Sequence, residues 1–317
     1  IGHQALYQAD ACNDSIAIGY QALGGTDAGT NVKNIAIGTY ALDAALANSQ
    51  HNIAIGYNAL TAATGGQSNV AIGGSGAGGA ITTADKIVAI GDGALGGAVQ
   101  SDGNTGVGYA CLYGTTGAKN TGFGYQSANT VTDGTENTVV GWDADVSASG
   151  AVNQTVIGSE TTGVADNSVT LGNSSVNNVY MASDSGAKVW CTNIDSSSDA
   201  RIKKNVEKIT LGLDFVNELN PVTFNMRKAE EWDDDLKKEQ VWYENIDSSR
   251  DIDDEESKIG FIAQEVKACL DKYNVDCDIH SVQEHSKIEA IDYSRLVVPL
   301  VKAVQELTAK VAELEKK

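Results

Sequence analysis

Positive charge, proline and aromatic residues are scarce in this chain of 317 residues. It has only two prolines, and its 22 lysine and arginine residues face 42 aspartate and glutamate residues, which gives a formal net charge of −20 at pH 7. Nucleic acids and anionic membrane surfaces bind basic patches, so the sequence predicts neither as a partner. No hydrophobic run reaches the length of a membrane span, and membrane insertion is therefore not expected. Aromatic residues make up only 6% of the chain, which predicts a thin hydrophobic core.

Cysteine and histidine are also few, and their spacing excludes some kinds of site. The number of cysteines is odd and no two of them form a Cys-x-x-Cys pair, so neither a disulfide framework nor a zinc site is indicated. The cysteines are Cys12, Cys111, Cys191, Cys269 and Cys277. His280 and His285 are interpreted as surface residues rather than as ligands. The sequence predicts no metal and no cofactor.

Glycine, by contrast, is abundant, and its distribution divides the chain in two. Thirty-two of the 34 glycines lie before residue 191. Residues 1–190 hold 4 lysine and arginine residues and 14 acidic residues, whereas the remaining 127 residues hold 18 and 28. The first part thus has the neutral, polar composition of an extended fibre, and the second part has that of a globular domain with helices.

A short apolar run closed by glycine recurs along the first part. Ile35-Ala36-Ile37-Gly38 and Ile53-Ala54-Ile55-Gly56 are two copies of it. From Gly2 onward, the closing glycines follow one another at steps of 17, 19, 18, 17, 18, 17, 16, 17, 17 and 14 residues. This period predicts a solenoid in which each run forms a short strand. The first and third side chains of a run would face one way and its small middle side chain the other.

Five turns also carry a leucine four residues after the closing glycine, where it would plug the narrow interior. These leucines are Leu23, Leu42, Leu60, Leu95 and Leu112. A turn with two or three aliphatic side chains of modest size makes a thin core, so a single copy is not expected to stand alone. The chain is therefore predicted to assemble with itself as a homotrimer.

The repeats resemble those of a known family. Asparagine precedes the run at Asn34, Asn52, Asn69, Asn104, Asn120 and Asn137. Motifs such as Asn34-Ile35-Ala36-Ile37-Gly38 resemble the head repeats of trimeric autotransporter adhesins, and the resemblance covers roughly residues 1–175. It implies a left-handed, trimeric β-roll. The asparagine is replaced in four turns, which are expected to be irregular, by Ser15, Ile87, Gln154 and Ser168.

The second part contains four sequence blocks that follow one another up to the C-terminus. They are Ser198-Asp199-Ala200-Arg201-Ile202-Lys203 and residues 219–224, 259–266 and 291–300. Together they resemble the intramolecular chaperone domain of phage tail spikes and tail fibres, also classed as the S74 peptidase family, over residues 198–317. In that family the domain drives trimerisation of the β-structured fibre before it and then cuts itself off.

These resemblances imply a segment of a viral tail fibre or spike, located in the virion and made in the host cytoplasm. A host cell-surface receptor or glycan is implied as a further partner. The predicted fold is mainly a β solenoid, followed by an α+β chaperone domain that ends in a coiled-coil helix. The expected boundaries are 1–175 for the repeat domain, 176–197 for a linker or neck, 198–296 for the chaperone domain and 297–317 for the coiled coil. The alternative is a structural or adhesin stalk with a permanent trimerisation cap that never cuts.

The S74 resemblance assigns chemistry to the first block. It implies Ser198 as the nucleophile and Lys203 as the general base of a single-turnover, self-cleaving serine peptidase with no other substrate. A lysine takes the proton of a serine only if burial or nearby positive charge lowers its pKa, and Arg201 and Lys204 are the candidate neighbours. A turn has to bring the pair together, because a regular helix favours partners three or four residues apart.

The cut is expected within one bond of Ser198, in the stretch Ser197-Ser198-Asp199. Attack by Ser198 on the carbonyl of Ser197 passes through a five-membered ring, whereas attack on its own carbonyl needs a strained four-membered ring. The bond between Ser198 and Asp199 is cut instead if the serine of a neighbouring subunit attacks. Both bonds stay candidates.

The C-terminal segment has the apolar spacing of a coiled coil. Its apolar residues alternate at spacings of three and four: Val297, Leu300, Val304, Leu307, Val311 and Leu314. Valine at the a positions and leucine at the d positions predict a coiled coil. These residues do not determine the number of strands, so the expectation of three helices rests on the fibre and on the resemblance. The alternative is one amphipathic helix packed on its own domain.

Residues 230–258 depart from the pattern of the S74 family. This stretch is acidic and contains tryptophan, and a shorter connection would be expected before the 259–266 block. It is interpreted as a solvated insertion or hairpin. Its carboxylates do not fit an EF-hand loop, so no calcium site is predicted.

Overall fold

The computed structural model describes residues 1–7, 13–25, 33–44, 49–97, 101–179, 181, 191, 198–227, 231–232, 234, 257–282 and 287–317. The chain divides into two compact units, Ile1–Tyr180 and Met181–Lys317. Within the described ranges, no helix combines the length and the apolar character needed to cross a lipid bilayer.

A parallel β solenoid makes up the first unit. Its ten strands are β1 (Ile16–Ile18), β2 (Ile35–Ile37), β3 (Ile53–Ile55), β4 (Val70–Ile72), β5 (Val88–Ile90), β6 (Thr105–Val107), β7 (Thr121–Phe123), β8 (Thr138–Val140), β9 (Thr155–Ile157) and β10 (Val169–Leu171). They stack in chain order in one sheet. Equivalent positions pair in register, so that Ile35 lies opposite Ile53 and Ala36 lies opposite Ala54. The predicted solenoid is confirmed, with one strand at each predicted apolar run.

Small side chains face the solenoid interior, and larger ones face outward. The middle residue of each strand from β1 to β9 is buried, whereas the flanking residues stay partly exposed. The five leucines predicted as plugs are at most 1% exposed, which confirms that prediction. Gly78 replaces the leucine in one turn, and a Cβ built there would lie 3.0 Å from Ile81 Cδ1. Ile81 therefore fills the space, and the interior stays closely packed.

The leucine plugs adopt a left-handed backbone conformation that the sequence does not reveal. Leu42 and Leu60 both have a φ of 52°. This region costs a non-glycine residue about 1–2 kcal/mol. The Leu42 N–H donates to the Ala59 carbonyl of the next turn at 2.9 Å, and the Leu60 N–H donates to the Ala77 carbonyl at 3.1 Å. Hydrogen bonds between turns, together with the burial of the leucine, stabilise a bend that an isolated turn would not hold.

Asparagine side chains form a buried ladder along the solenoid. The Asn120 N–H donates to Asn104 Oδ1 at 2.8 Å, and the Asn137 N–H donates to Asn120 Oδ1 at 3.1 Å. The side-chain amide also donates across the turn, from Asn120 Nδ2 to the Gly134 carbonyl at 2.8 Å. Each rung thus satisfies backbone groups that would otherwise be buried without a partner.

The turns without asparagine keep the strand register of the others. Ser15 Oγ accepts a hydrogen bond from the Asn34 N–H at 3.1 Å, and the Gln154 N–H donates to the preceding asparagine side chain at 3.0 Å. Ile87 offers no side-chain acceptor to the next turn, but β5 still pairs in register on both sides. The expected irregularity of these turns is therefore not found in the strand pairing, because other polar side chains or the backbone continue the stack.

The closing glycines lie directly on top of one another. A Cβ built on Gly108 would lie 2.1 Å from the Gly124 carbonyl oxygen, and the φ of Gly108 is +135°. A side chain would meet backbone rather than flexible atoms there. Glycine is therefore required at this position both for space and for backbone conformation.

The second unit combines short helices with two-stranded sheets. Its elements are α1 (Leu213–Glu218), β11 (Val222–Phe224), β12 (Lys258–Gly260), α2 (Ala263–Lys272), β13 (His280–Val282), β14 (Glu289–Ile291) and α3 (Val297–Leu314). β11 pairs with β12, and β13 pairs with β14, both antiparallel. The predicted α+β domain with a C-terminal helix is confirmed. Its small core consists of Leu211, Phe215, Val266, Leu270, Ile279 and Leu296.

Helix α3 packs on its own unit through one face only. Pro299 and Ala303 are buried there, and Glu306 Oε2 accepts a hydrogen bond from the Leu213 N–H at 2.8 Å. The six residues of the predicted a/d seam are 45–67% exposed. The alternative in which this apolar seam packs on its own domain is therefore not what the structure shows.

Candidate functional site

A tight turn follows Ser198. Residues Ala200–Ile202 form one turn of 3-10 helix, which the Asp199 side chain caps by accepting a hydrogen bond from the Arg201 N–H at 2.8 Å. The same carboxylate binds Arg201 Nε at 3.0 and 3.1 Å. Aspartate is a favoured cap because its oxygen satisfies a free backbone N–H at the start of a helical turn. The turn closes where the Lys203 N–H donates to the Ala200 carbonyl at 3.3 Å.

The turn brings the two predicted catalytic side chains together. Lys203 Nζ donates a hydrogen bond to Ser198 Oγ at 2.7 Å, although the two residues are five positions apart. A regular helix would not align this spacing. Here the backbone leaves the 3-10 turn at Lys203 in an extended conformation, which allows the lysine side chain to reach the serine. The hydroxyl and the amine are within the distance that proton transfer requires.

Arg201 and Lys204, the candidate supporting cations, are placed differently. Hydrogen bonds from Arg201 hold the pKa of Asp199 below its usual value, and the same contact raises the pKa of Arg201. Arg201 thus stabilises the turn itself. Lys204 is exposed and makes no ion pair with any other residue in the described part of the chain.

The pair lies on an open surface in the single chain. Ser198 and Lys203 are both exposed. Ile202 and Val206, on either side of Lys203 in sequence, are 68% and 78% exposed. A neighbouring chain that covered these apolar side chains would also reduce the solvation of Lys203, and burial disfavours the charged form of a lysine.

A pocket of about 230 Å³ lies where three of the sequence blocks meet in the second unit. The Tyr293 hydroxyl accepts a hydrogen bond from the Phe261 N–H at 3.0 Å, and the two rings stack with their centroids 6.0 Å apart. Phe224 and Ile291 line the same pocket. The sequence analysis selected these blocks by resemblance but did not predict the pocket, because segments far apart in the chain have to meet to form it.

No group of histidine, cysteine, aspartate and glutamate side chains in the described ranges is arranged to hold a metal ion. The expected surface position is wrong for His280, whose side chain is only 7% exposed and whose Nε2 lies 2.7 Å from Glu289 Oε2. The pairing of β13 with β14 brings these two residues together. In the solenoid, burial raises the pKa of the Cys111 thiol to about 12, so this cysteine is a poor nucleophile.

Aromatic rings stack on the solenoid surface. Tyr109, Tyr125 and Trp142 follow closing glycines in three successive turns, with ring centroids 5.1 and 6.1 Å apart. Each ring residue is 43–51% exposed. Tyrosine and tryptophan are enriched in recognition surfaces because they combine apolar area with a polar group. The receptor or glycan expected as a partner stays a prediction.

Several predicted features lie outside the described residues. They include Ser197, which is one residue of the predicted cleavage site, and also Cys12 and His285. Most of the predicted linker at 176–197 and most of the predicted acidic insertion at 230–258 lie there too. These features keep the status of predictions.

Residues 198–274 match the family described as peptidase S74, chaperone of endosialidase. The match begins at Ser198 and extends through Lys203 to the end of α2. The resemblance drawn from the sequence blocks is confirmed over this segment, with a β solenoid before it. Residues 275–317 lie beyond the match. No curated protein shows a significant match to the chain.

Proposed function

We propose that this chain is a segment of a phage tail fibre or tail spike with an intramolecular chaperone at its C-terminal end. The chaperone promotes folding of the solenoid as a homotrimer and then removes itself by one cleavage at Ser198. The observation that carries the proposal is the 2.7 Å hydrogen bond from Lys203 Nζ to Ser198 Oγ, which lies at the first residues of the S74 match. The family match supports the chaperone role.

The outer face of the solenoid sheet supports assembly with further copies of the chain. The flanking residues of the strands form two columns along this face, and many of them are large and exposed, such as Ile16 at 49%, Ile72 at 37% and Ile157 at 43%. A continuous apolar strip along stacked turns is unusual on the surface of a monomer. Burial of the strip between copies supplies the apolar core that the thin solenoid lacks by itself.

Cleavage begins when Lys203 takes the proton of the Ser198 hydroxyl and the serine oxygen attacks a peptide carbonyl. In the intramolecular route this carbonyl belongs to Ser197. A bond forms between Ser198 Oγ and that carbon, the bond from the carbon to the Ser198 nitrogen breaks, and the lysine ammonium returns its proton to the nitrogen. Water then hydrolyses the ester, which leaves a carboxylate on Ser197 and restores the hydroxyl. If the serine of a neighbouring subunit attacks, the Ser198–Asp199 bond breaks instead.

Assembly supplies the condition that this chemistry needs. An amine acts as a base only in its neutral form, which burial favours. Lys203 is exposed in the single chain, beside the apolar side chains of Ile202 and Val206. We expect contact between subunits to cover this surface, so that cleavage follows trimerisation.

The order of events has a physical use. Non-local β pairing is slow and exposes strand edges that aggregate, and a helper domain that aligns three chains shortens this stage. Once the helper is cut away, the fibre no longer unfolds by the reverse of its folding path. The product is then protected by a kinetic barrier.

The test is the intact mass of freshly purified wild-type protein beside Ser198→Ala and Lys203→Ala. We expect two fragments that meet within one bond of Ser198 in the wild type, and one uncut mass in each variant. Lys208→Ala removes another exposed lysine five positions further along and should cleave like the wild type. The fragment masses identify the bond. A wild type that assembles but stays whole would contradict self-cleavage and leave a permanent trimerisation cap as the function.

A further inference from the structure

Helix α3 has one face with a partner inside its own unit. Pro299, Lys302, Ala303 and Glu306 form this face, at the spacing that places side chains on one side of a helix. Pro299 and Ala303 are buried, and Glu306 bridges the Leu213 N–H at 2.8 Å and Lys302 Nζ at 2.7 Å. The rotation of α3 about its own axis is therefore set by its contacts with the rest of the unit.

The opposite face of α3 has no such partner. Taking Val297 as heptad position a, positions a, d and e lie about half a turn around the helix from the packed face. The apolar residues at these positions up to the fourth turn are 45–62% exposed: Val297, Leu300, Val301, Val304, Leu307 and Val311. At 1.5 Å per residue, the exposed stripe continues for about 26 Å to Leu314.

We propose that this stripe binds two further copies of the same helix, with all three helices parallel and in the same register. The inference rests on the proposed chaperone function and deepens it. Valine at a and leucine at d are by themselves compatible with two strands. The exposed stripe also includes Val301 at position e, however, and this wider surface serves two neighbours rather than one.

Charge determines the orientation. Lys310 falls at position g, and Glu315 falls at position e of the next heptad. In a parallel coiled coil these positions of neighbouring helices lie side by side, so the lysine of each copy meets the glutamate of the next. An end-to-end antiparallel alignment would instead place Glu315 beside the apolar Val301. The parallel register is therefore the one that pairs opposite charges.

Cross-linking of the full-length chain tests this arrangement. All variants carry Ser198→Ala so that the chain stays whole. Leu307→Cys lies in the proposed seam and is expected to form 307–307 disulfides under mild oxidation, because parallel in-register helices bring equivalent d positions within bonding distance. Ala309→Cys, on an exposed position outside the seam, is the matched control and should lose this cross-link. Peptide mass mapping separates these disulfides from those of the native cysteines.

A mixture of Val297→Cys and Leu314→Cys proteins distinguishes the two orientations. Parallel helices give 297–297 and 314–314 links, whereas antiparallel helices give 297–314 links, which would overturn the proposal. Sedimentation of Ser198→Ala without added cysteines is expected to show three copies. A two-copy assembly would overturn the three-helix arrangement.

A charge swap tests the register independently. Lys310→Glu and Glu315→Lys are each expected to weaken the trimer, and the double variant should recover it, because opposite charges again face each other between copies. Lys316→Glu, at position f, is the control with the same change of charge as Lys310→Glu. No recovery in the double variant would contradict the pairing. Wild-type protein that cleaves while the seam fails to cross-link would refute only this inference, whereas cross-linked chains whose wild type stays whole would refute only the cleavage.

Discussion

The two units of this chain are stabilised in different ways. In the solenoid, a residue mainly contacts the same position in the turns before and after it, as Ala36 pairs with Ala54 and Asn120 with Asn137. In the second unit, one small core joins residues as distant as Leu211 and Leu296. The solenoid is therefore sensitive to whether a residue tolerates stacking, whereas the second unit is sensitive to lost volume in one shared core.

Polar groups differ between the units in the same sense. Among the described residues, those classed as both buried and polar all lie in the solenoid. They are tolerated because the ladder of asparagine amides pairs them with backbone groups of adjacent turns. The second unit instead keeps ion pairs at its surface, such as Lys272 with Glu218 and Lys302 with Glu306. This difference leads to opposite expectations for mutation and for acid.

The largest effect is expected from Gly108→Ala in the solenoid. The new Cβ would lie 2.1 Å from the Gly124 carbonyl oxygen at a φ of +135°, so either the stack opens or the backbone is strained. We expect a loss of at least about 4 kcal/mol in the free energy of unfolding. Gly114→Ala is the matched control, since a Cβ at Gly114 would meet nothing within 4 Å. Thermal unfolding followed by circular dichroism measures both, and equal stability of the two variants would contradict the stacking argument.

Phe215→Ala is expected to have the next largest effect, and a wide one. Phe215 is fully buried in the only core cluster of the described part of the second unit, and its removal should cost about 3–5 kcal/mol. Hydrogen exchange should then rise throughout that unit. Leu60→Ala is the matched variant in the solenoid, where faster exchange is expected only in adjacent turns. Exchange that rises around α1 alone in Phe215→Ala would show that the second unit has no shared core.

Asn120→Ala tests one rung of the solenoid ladder. It removes the Oδ1 that accepts from the Asn137 N–H and leaves that buried donor without its acceptor. We expect a loss of about 2 kcal/mol. The control is Gln67→Ala, which removes an exposed amide and should change stability by less than about 0.5 kcal/mol. Chemical denaturation measures both, and a loss in Asn120→Ala no greater than in the control would remove the ladder as a source of stability.

Acid is expected to have the smallest effect and to act oppositely on the two units. Hydrogen bonds from the Leu213 N–H and from Lys302 hold the pKa of Glu306 below its ordinary value of 4.5. Its contribution to stability is therefore present above that pH and is lost as the pH falls through the lowered pKa. In the solenoid, burial raises the pKa of Asp145 above 3.8, so the folded state binds the proton first and gains stability on acidification.

Thermal unfolding between pH 7 and about pH 3 checks this expectation. The transition of the second unit should fall as the pH passes below the ordinary carboxyl range, and Glu306→Gln should make that fall shallower. The effect of Asp145 is isolated with Asp145→Asn, which should remove the opposite trend in the solenoid. A solenoid transition that fell as far as that of the second unit would contradict the expected difference.

Much of the first unit could be predicted because its signals are local and repeated. Alternation within three residues marks each strand, the closing glycine marks the bend, and the leucines after Gly38 or Gly56 lie in the interior as expected. In the second unit, periodicity alone indicated only the last helix. The reactive pair there was implied by resemblance, since a serine and a lysine five residues apart carry little information by themselves.

Other features depend on contacts between segments that no local pattern encodes. The left-handed conformation of Leu60 is stabilised by the hydrogen bond to Ala77 in the next turn, and Ile81 fills the space where Gly78 replaces a leucine. His280 is buried because β14 brings Glu289 to it. Sequence reasoning placed this histidine at the surface because composition says nothing about which strand a residue will face.

Local periodicity was thus enough to predict the solenoid, its strands and its leucine core, because each turn repeats the same short-range pattern. Only the tertiary structure decided which face of α3 packs on its own unit and which stays free, since Glu306 finds its partner at Leu213, 93 residues away in the chain. It also decided that the turn capped by Asp199 brings Lys203 to Ser198, because residue spacing alone does not determine the backbone conformation between them.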